Sequence, residues 1–173
     1  MSWSSTIAEY LDEMRRLGAG SFLVAYPFPV LVHRFGAAAS SPPAGFRTDL
    51  QRRPALRTVV DGGPADLDVA VHAIKKRPGN PYEDTVMLGR ASSNDIVLPY
   101  NDLSKLHAYF GQSADGAWYV ADAGSTNGTW LGETQLAANT PAPLGERNEL
   151  AFGENAFEAF TARAFAAWLE SRA

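Results

Sequence analysis

The sequence predicts a mainly β protein, a β-sandwich with a helix near each end of the chain. Three observations lead to that expectation. Short runs rich in Val, Ile, Leu and aromatic residues recur roughly every 8–12 residues between Leu67 and about Thr161. Gly, Pro, Asn and Asp fall between those runs, where chain reversals need them. Apolar residues follow a helical period only near the two termini.

Ile7, Tyr10, Leu11, Met14 and Leu17 lie on one helical stripe, which predicts a helix over 4–17. Ser4 or Ser5 can cap its start, Arg15 and Arg16 suit its end, and Gly18 stops it. Ser21–Phe35 is rich in Phe, Val, Leu and Tyr but is interrupted by Pro27 and Pro29. It reads as one or two short strands, confined at least partly to a sheet edge or bend. Gly36–Gly45 is a low-complexity loop, and Phe46–Val60 mixes Arg47, Arg52, Arg53 and Arg57 with a few apolar residues, as a loose strand or a linker. Asp61-Gly62-Gly63-Pro64 is a strong turn and the expected boundary.

The strand-like runs beyond it are Val69–Ala73, Val86–Leu88, Asp95–Leu98, His107–Phe110, Trp118–Val120, Thr129–Leu131, Glu149–Phe152 and Phe157–Phe160. A closing helix over Arg163–Arg172 places Phe165, Trp168 and Leu169 on one face. The expected organisation is therefore an extension over 1–65, a β domain over 66–161 and a C-terminal helix over 162–173.

Composition removes several classes of function. The 173 residues contain no cysteine, so no disulfide, thiolate nucleophile or cysteine-bound metal exists. The formal charge is -4 with no basic run, which argues against nucleic-acid binding. No apolar run approaches the roughly 18 residues of a membrane span. Glu9, Asp12 and Glu13 interrupt the first 17 residues, so these do not read as a signal peptide, and a cytoplasmic location is expected. The alanine-, arginine- and glycine-rich composition suggests a bacterial source. His33, His72 and His107 are scattered, which supports neither a metal cluster nor a catalytic triad, and no cofactor is expected.

Three polar turns stand apart: Gly89-Arg90, Ser104-Lys105-Leu106-His107, and Gly124-Ser125-Thr126-Asn127-Gly128-Thr129. Short polar donors and two cations on neighbouring turns can hold a phosphate monoester. Arg90, leaving a strand after Gly89, offers a planar fork of donors, although a lone arginine is usually only a solvated surface group. Ser104 and Lys105 pair a hydroxyl with a mobile ammonium, yet such a stretch is often a plain capped turn. His107 opens an apolar strand and reads as a structural histidine that ties loops together more readily than as a base. Asn127-Gly128 is a strong tight-turn signal, so a simple hairpin competes with the view that Asn127 presents its amide to a bound peptide. Thr126 adds a hydroxyl.

In order and spacing these turns resemble the forkhead-associated (FHA) domain, with its Gly-Arg, Ser-x-x-His and Ser-x-Asn-Gly groups. The flanks Asn94–Leu98, Trp118–Val120 and Thr129–Gly132 are similar to that family as well, and the likeness covers about residues 66–161. The resemblance implies an FHA-type β-sandwich of about eleven strands whose loops at one end bind phosphothreonine peptides. It implies that Arg90, Ser104 and Lys105 contact the phosphate, that Thr126 and Asn127 contact the peptide, and that Gly89, His107 and Gly128 are architectural. Lys105 stands where an arginine is often found, keeping charge but losing bidentate geometry.

The function expected is a non-enzymatic adaptor that binds a phosphothreonine-containing protein, such as a Ser/Thr kinase or its substrate. The alternative is a scaffold or oligomerisation module with the same fold and no need of phosphate. An enzyme using His107 or Ser104 lacks the nucleophile–base constellation it would require.

Overall fold

A computed structural model describes residues 4–33, 69–82 and 84–172. The expected loop and linker over 36–65, with the boundary at Asp61–Pro64, lie outside these residues. Twelve strands and three helices occur among the described residues, against the eleven strands that the resemblance implies.

The strands form two sheets. The larger has the order β1 (Ser4–Thr6), β3 (Ala70–Ala73), β2 (Val30–His33), β12 (Asn155–Phe160), β11 (Arg147–Phe152), β8 (Thr129–Leu131) and β9 (Thr134–Gln135). The smaller has the order β10 (Ala142–Pro143), β7 (Trp118–Asp122), β6 (Ala108–Gln112), β4 (Thr85–Gly89) and β5 (Ile96–Val97). Every pairing is antiparallel except that of β4 with β5. Leu31, Ile74, Leu88, Phe110, Val120, Leu150, Phe152 and Phe157 fill the space between the sheets.

A second apolar layer covers the outer face of the larger sheet. Helices α1 (Ile7–Leu17), α2 (Ala19–Ala25) and α3 (Ala162–Glu170) bury Ile7, Tyr10, Leu11, Met14, Phe22, Phe165 and Leu169 against Val30, Val32, Val71 and Phe160. Strand β2 is consequently buried on both faces: Leu31 points between the sheets, while Val30 and Val32 point to the helices. Its four residues are all buried, which explains an apolar run without alternation.

Several sequence expectations need correction here. The first helix begins at Ile7 because Ser4–Thr6 pair with β3 as an edge strand, Ser5 opposite Val71. Its cap is Thr6, not Ser4 or Ser5: the Glu9 amide donates to Thr6 Oγ1 at 3.3 Å, and the Thr6 amide to Glu9 Oε2 at 2.9 Å.

The Ser21–Phe35 segment is not strand throughout. Residues 19–25 form a helix between Gly18 and Pro27, from which Phe22 packs on Tyr10 and Tyr26. Of the two alternatives for the prolines, the bend holds, at Phe28 between them, and the sheet edge does not. The prolines precede β2, which is interior, paired with β12 on one side and β3 on the other. Strand β5 is two residues rather than four, since Asp95 turns its carboxylate inward instead. Strands β9 and β10, two residues each, carry no sequence signal.

Candidate functional site

The three polar turns meet at one end of the sandwich. Each leaves or enters a strand there: Gly89-Arg90 after β4, Ser104–His107 before β6, and Ser125–Gly128 between β7 and β8. The Asn127-Gly128 turn is not a hairpin, because β7 lies in the smaller sheet and β8 in the larger. It is the crossing between sheets, and Gly124 (φ 78°) and Gly128 (φ 83°) supply the left-handed backbone it needs.

Gly89 is glycine for a different reason. A Cβ there would stand 2.9 Å from the Ser104 carbonyl and 2.9 Å from the His107 amide, and closer still to the Lys105 carbonyl. The absent side chain lets the β4 exit lie directly against the Ser104 loop. The Arg90 amide then donates to Ser104 O at 3.0 Å, and the Ala91 amide to Lys105 O at 3.1 Å. The Arg90 side chain is anchored by Nε on Leu103 O at 3.2 Å, and its two terminal amino groups make no hydrogen bond among the described residues. Arg90, Lys105, Thr126 and Asn127 are all exposed.

Ser104 joins the second turn to the third. Its Oγ accepts from the Thr126 amide at 3.0 Å and lies 3.5 Å from Thr126 Oγ1. Asn127 Nδ2 donates to Asp102 O at 2.7 Å, which holds the amide plane in place and leaves Oδ1 as an acceptor on the surface.

His107 sits beneath these contacts with no exposed surface. Its Nδ1 accepts from the Ser104 amide at 3.2 Å, so the hydrogen resides on Nε2, which donates to Gly128 O at 2.9 Å. Burial pushes the imidazole below its ordinary pKa, against the pull of the Gly128 carbonyl and of Asp122 and Asp102. Both nitrogens are spent inside the protein, so the ring braces two loops and has no free lone pair for a reacting group. Among the described residues no base bonds the Ser104 hydroxyl, and no group of three His, Cys, Asp or Glu is arranged to hold a metal ion.

Three further acidic or amide side chains complete the scaffold, and sequence reasoning gave them no role. Asp122 accepts from the amides of Gly124 (2.8 Å) and Ser125 (2.9 Å) and from the hydroxyls of Ser125 (2.6 Å) and Thr129 (2.7 Å). Burial alone would raise its pKa, but these donors together hold it below the usual carboxylate range. Asp102 receives the Glu154 amide at 2.8 Å and Asn155 Nδ2 at 3.0 Å, tying the site to the β11–β12 turn. Asn94 donates to Ala91 O at 2.9 Å and Lys105 O at 2.6 Å. Asn94 opens a flank similar to the FHA family and Asp122 ends an apolar strand, whereas Asp102, in the loop between β5 and β6, carries no such signal.

This end of the molecule is thus a polar crest with two exposed cations, Arg90 and Lys105, that form no ion pair among the described residues, and a row of hydroxyl and amide groups. That is the donor set a phosphorylated side chain and an extended backbone need.

The family model of the FHA domain matches residues 86–153, the stretch that contains all three turns. An FHA domain-containing protein of Arabidopsis thaliana is 32% identical over 102 residues, covering 58% of this chain and 24% of that protein. FhaB of Mycobacterium tuberculosis is 36% identical over 63 residues, covering 36% of this chain and 40% of FhaB. The chain therefore spans less than half the length of either relative. Among solved structures, an engineered FHA domain with a Myc-pTBD peptide superposes with a TM-score of 0.51 at 15% identity. It covers 82% of this chain and 97% of the other, a likeness of fold.

Proposed function

We propose that this chain, which carries an FHA domain, is an adaptor that binds phosphothreonine in partner proteins. FHA domains are phosphopeptide-binding modules rather than enzymes, and they read phosphorylated motifs through clustered basic side chains. The observation that carries the proposal is the convergence at Ser104. Its carbonyl takes the Arg90 amide and its hydroxyl the Thr126 amide, and Asp102 on the same loop takes Asn127, so the three turns are bonded into one surface.

In this reading the Arg90 terminal amino groups and the Lys105 ammonium take phosphate oxygens, and Ser104 and Thr126 add hydroxyl donors. Asn127 Oδ1 accepts an amide of the bound peptide main chain. Gly89, His107 and Gly128 keep the three turns at contact distance. A phosphate bearing about -1.5 to -2 charges gains roughly 1.5–3 kcal/mol from each charge-assisted hydrogen bond. Two or three such bonds on a solvated crest suit reversible binding. Partners are a phosphorylated Ser/Thr kinase or its substrate, met in the cytoplasm. No helix among the described residues is long and apolar enough to cross a membrane.

Calorimetry with a phosphothreonine peptide and its unphosphorylated twin tests the proposal. Binding should require the phosphate, and Arg90→Ala should weaken it by about one to two orders of magnitude. Equal affinity for the two peptides would instead identify a scaffold that has no need of phosphate.

A further inference from the structure

Arg77 lies outside the three turns, on the connection from β3 to β4, yet it is bonded to the turn that carries Arg90. Its Nη1 donates to Ser92 O at 3.3 Å and to Asn94 O at 3.0 Å. Its own backbone is fixed in turn, because the Arg77 amide donates to Asp95 Oδ1 at 2.7 Å. Asp95 is 2% exposed and also receives Lys76 Nζ at 3.0 Å and the Met87 amide at 2.8 Å. A buried carboxylate therefore locks the root of Arg77 to β4, and the guanidinium reaches from that root to the outer side of the Ala91–Asn94 turn.

The inner side of the same turn is held separately. Asn94 Nδ2 bonds the Ala91 and Lys105 carbonyls, and Arg90 Nε bonds Leu103 O. Arg90 thus leaves β4 into a turn clamped from within by Asn94 and from outside by Arg77. Without the outer clamp the Ser92 and Asn94 carbonyls lose their cationic donor, and the turn is held to the Ser104 loop by the inner bonds alone, which leaves its outer side loose. The direction of the Arg90 amino groups depends on that turn.

We infer that Arg77 is a positioning residue for phosphate recognition, acting through Arg90 rather than touching the ligand. This rests on the phosphothreonine reading above. Because it acts through another residue, its effect should vanish when that residue is gone.

The test is a double-mutant cycle on the full chain, read by calorimetry with one phosphothreonine peptide and with folding checked by thermal melting. Arg77→Met keeps the aliphatic stem and removes the donors; it should weaken binding about three- to tenfold. Arg77→Lys, which still reaches a carbonyl, should recover most of that loss. In the Arg90→Ala background Arg77→Met should cost less than about twofold. Arg77→Gln, too short to reach either carbonyl, serves in the same cycle should Arg77→Met fail to fold. A loss of equal size in both backgrounds would overturn the inference, as would no loss at all from Arg77→Met. Neither result would disturb the phosphate site, which falls if Arg90→Ala itself leaves affinity unchanged or if the unphosphorylated peptide binds equally well.

Discussion

The recognition end and the helix-covered face of this molecule are stabilised by different physics. At the recognition end, the connections around β4, β6 and β8 are cross-linked by polar groups. Asp122 takes four donors, His107 spans two loops, and Asn94 and Asp102 bond carbonyls and amides of chain neighbours far away in sequence. On the helix-covered face, Tyr10, Phe22, Phe160, Phe165 and Trp168 pack ring against ring, with Tyr10 and Phe165 centroids 5.3 Å apart. Directional bonds can hold exposed loops rigid where no apolar surface is available to bury. Apolar packing needs no direction, and it supplies stability far from the ligand. The comparison implies that the two regions can be damaged independently.

The largest expected effect tests that independence. Phe165 is 2% exposed and contacts Tyr10, Phe160 and Trp168. Phe165→Ala should cost about 3–5 kcal/mol of folding stability, measured by chemical denaturation. Phosphopeptide affinity, measured at a temperature where the variant is folded, should change less than about twofold. A parallel collapse of affinity would show that the helical layer and the recognition end are one cooperative unit.

Both regions contain parts that were legible in sequence and parts that were not, for reasons that differ. The stripe Ile7, Tyr10, Leu11, Met14 is visible because helical period and burial coincide along one element. Helix α2 reads as strand from Ser21 onward because Phe22, Leu23 and Val24 follow one another there. What makes them helical is the packing of Phe22 on α1 and the flanking Gly18 and Pro27, a tertiary effect. At the recognition end, Gly89-Arg90, Ser104–His107 and Ser125–Gly128 stood out because short polar residues interrupt strands at close spacing. The supports did not: Asp122, Asp102, Asn94 and Arg77 act on loops up to 53 residues away, as Asp102 does on Asn155. Nothing in a single stretch of chain records such a partner. The glycine at 89 is visible in sequence only as the residue before Arg90, and its cause is the close approach of a neighbouring loop.

On the inter-sheet face of the larger sheet, away from the helices, two histidines predict a pH dependence. His33, on β2, stacks on Phe157 at 4.5 Å and shares a hydrogen bond of 3.2 Å with the Tyr100 hydroxyl, from the loop that leads to Ser104. His72 meets the same Phe157 edge-on from β3. Burial lowers both from the ordinary 6.5 to about 4, and their mutual repulsion adds to the shift of His33. The unfolded chain takes up these protons near pH 6.5, while the folded chain resists until about pH 4. Their contribution is therefore complete above pH 6.5 and is lost as pH falls toward 4. Each histidine should account for on the order of 3 kcal/mol across that window. Denaturation between pH 7 and 4 should show the decline, and His33→Gln with His72→Gln should flatten it. An unflattened curve would transfer the acid sensitivity to other groups.

The smallest of these effects on stability concerns the polar counterpart of Phe165. Asp122 is 4% exposed, and its two oxygens receive two amides and two hydroxyls of the Gly124–Thr129 crossing. Asp122→Ala leaves those donors without a partner, and the two amides cannot rotate to find another. The cost should be about 2 kcal/mol. Asp122→Asn should be milder, because its carbonyl oxygen can serve the two amides while the Ser125 and Thr129 hydroxyls turn to accept from its NH2 group. Unlike Phe165→Ala, Asp122→Ala should also weaken phosphopeptide binding several-fold, since Thr126 and Asn127 ride on the crossing it holds. Stability lost with affinity intact would mean that the Ser104 and Asp102 contacts to Thr126 and Asn127 suffice to place them, and that Asp122 serves the fold alone.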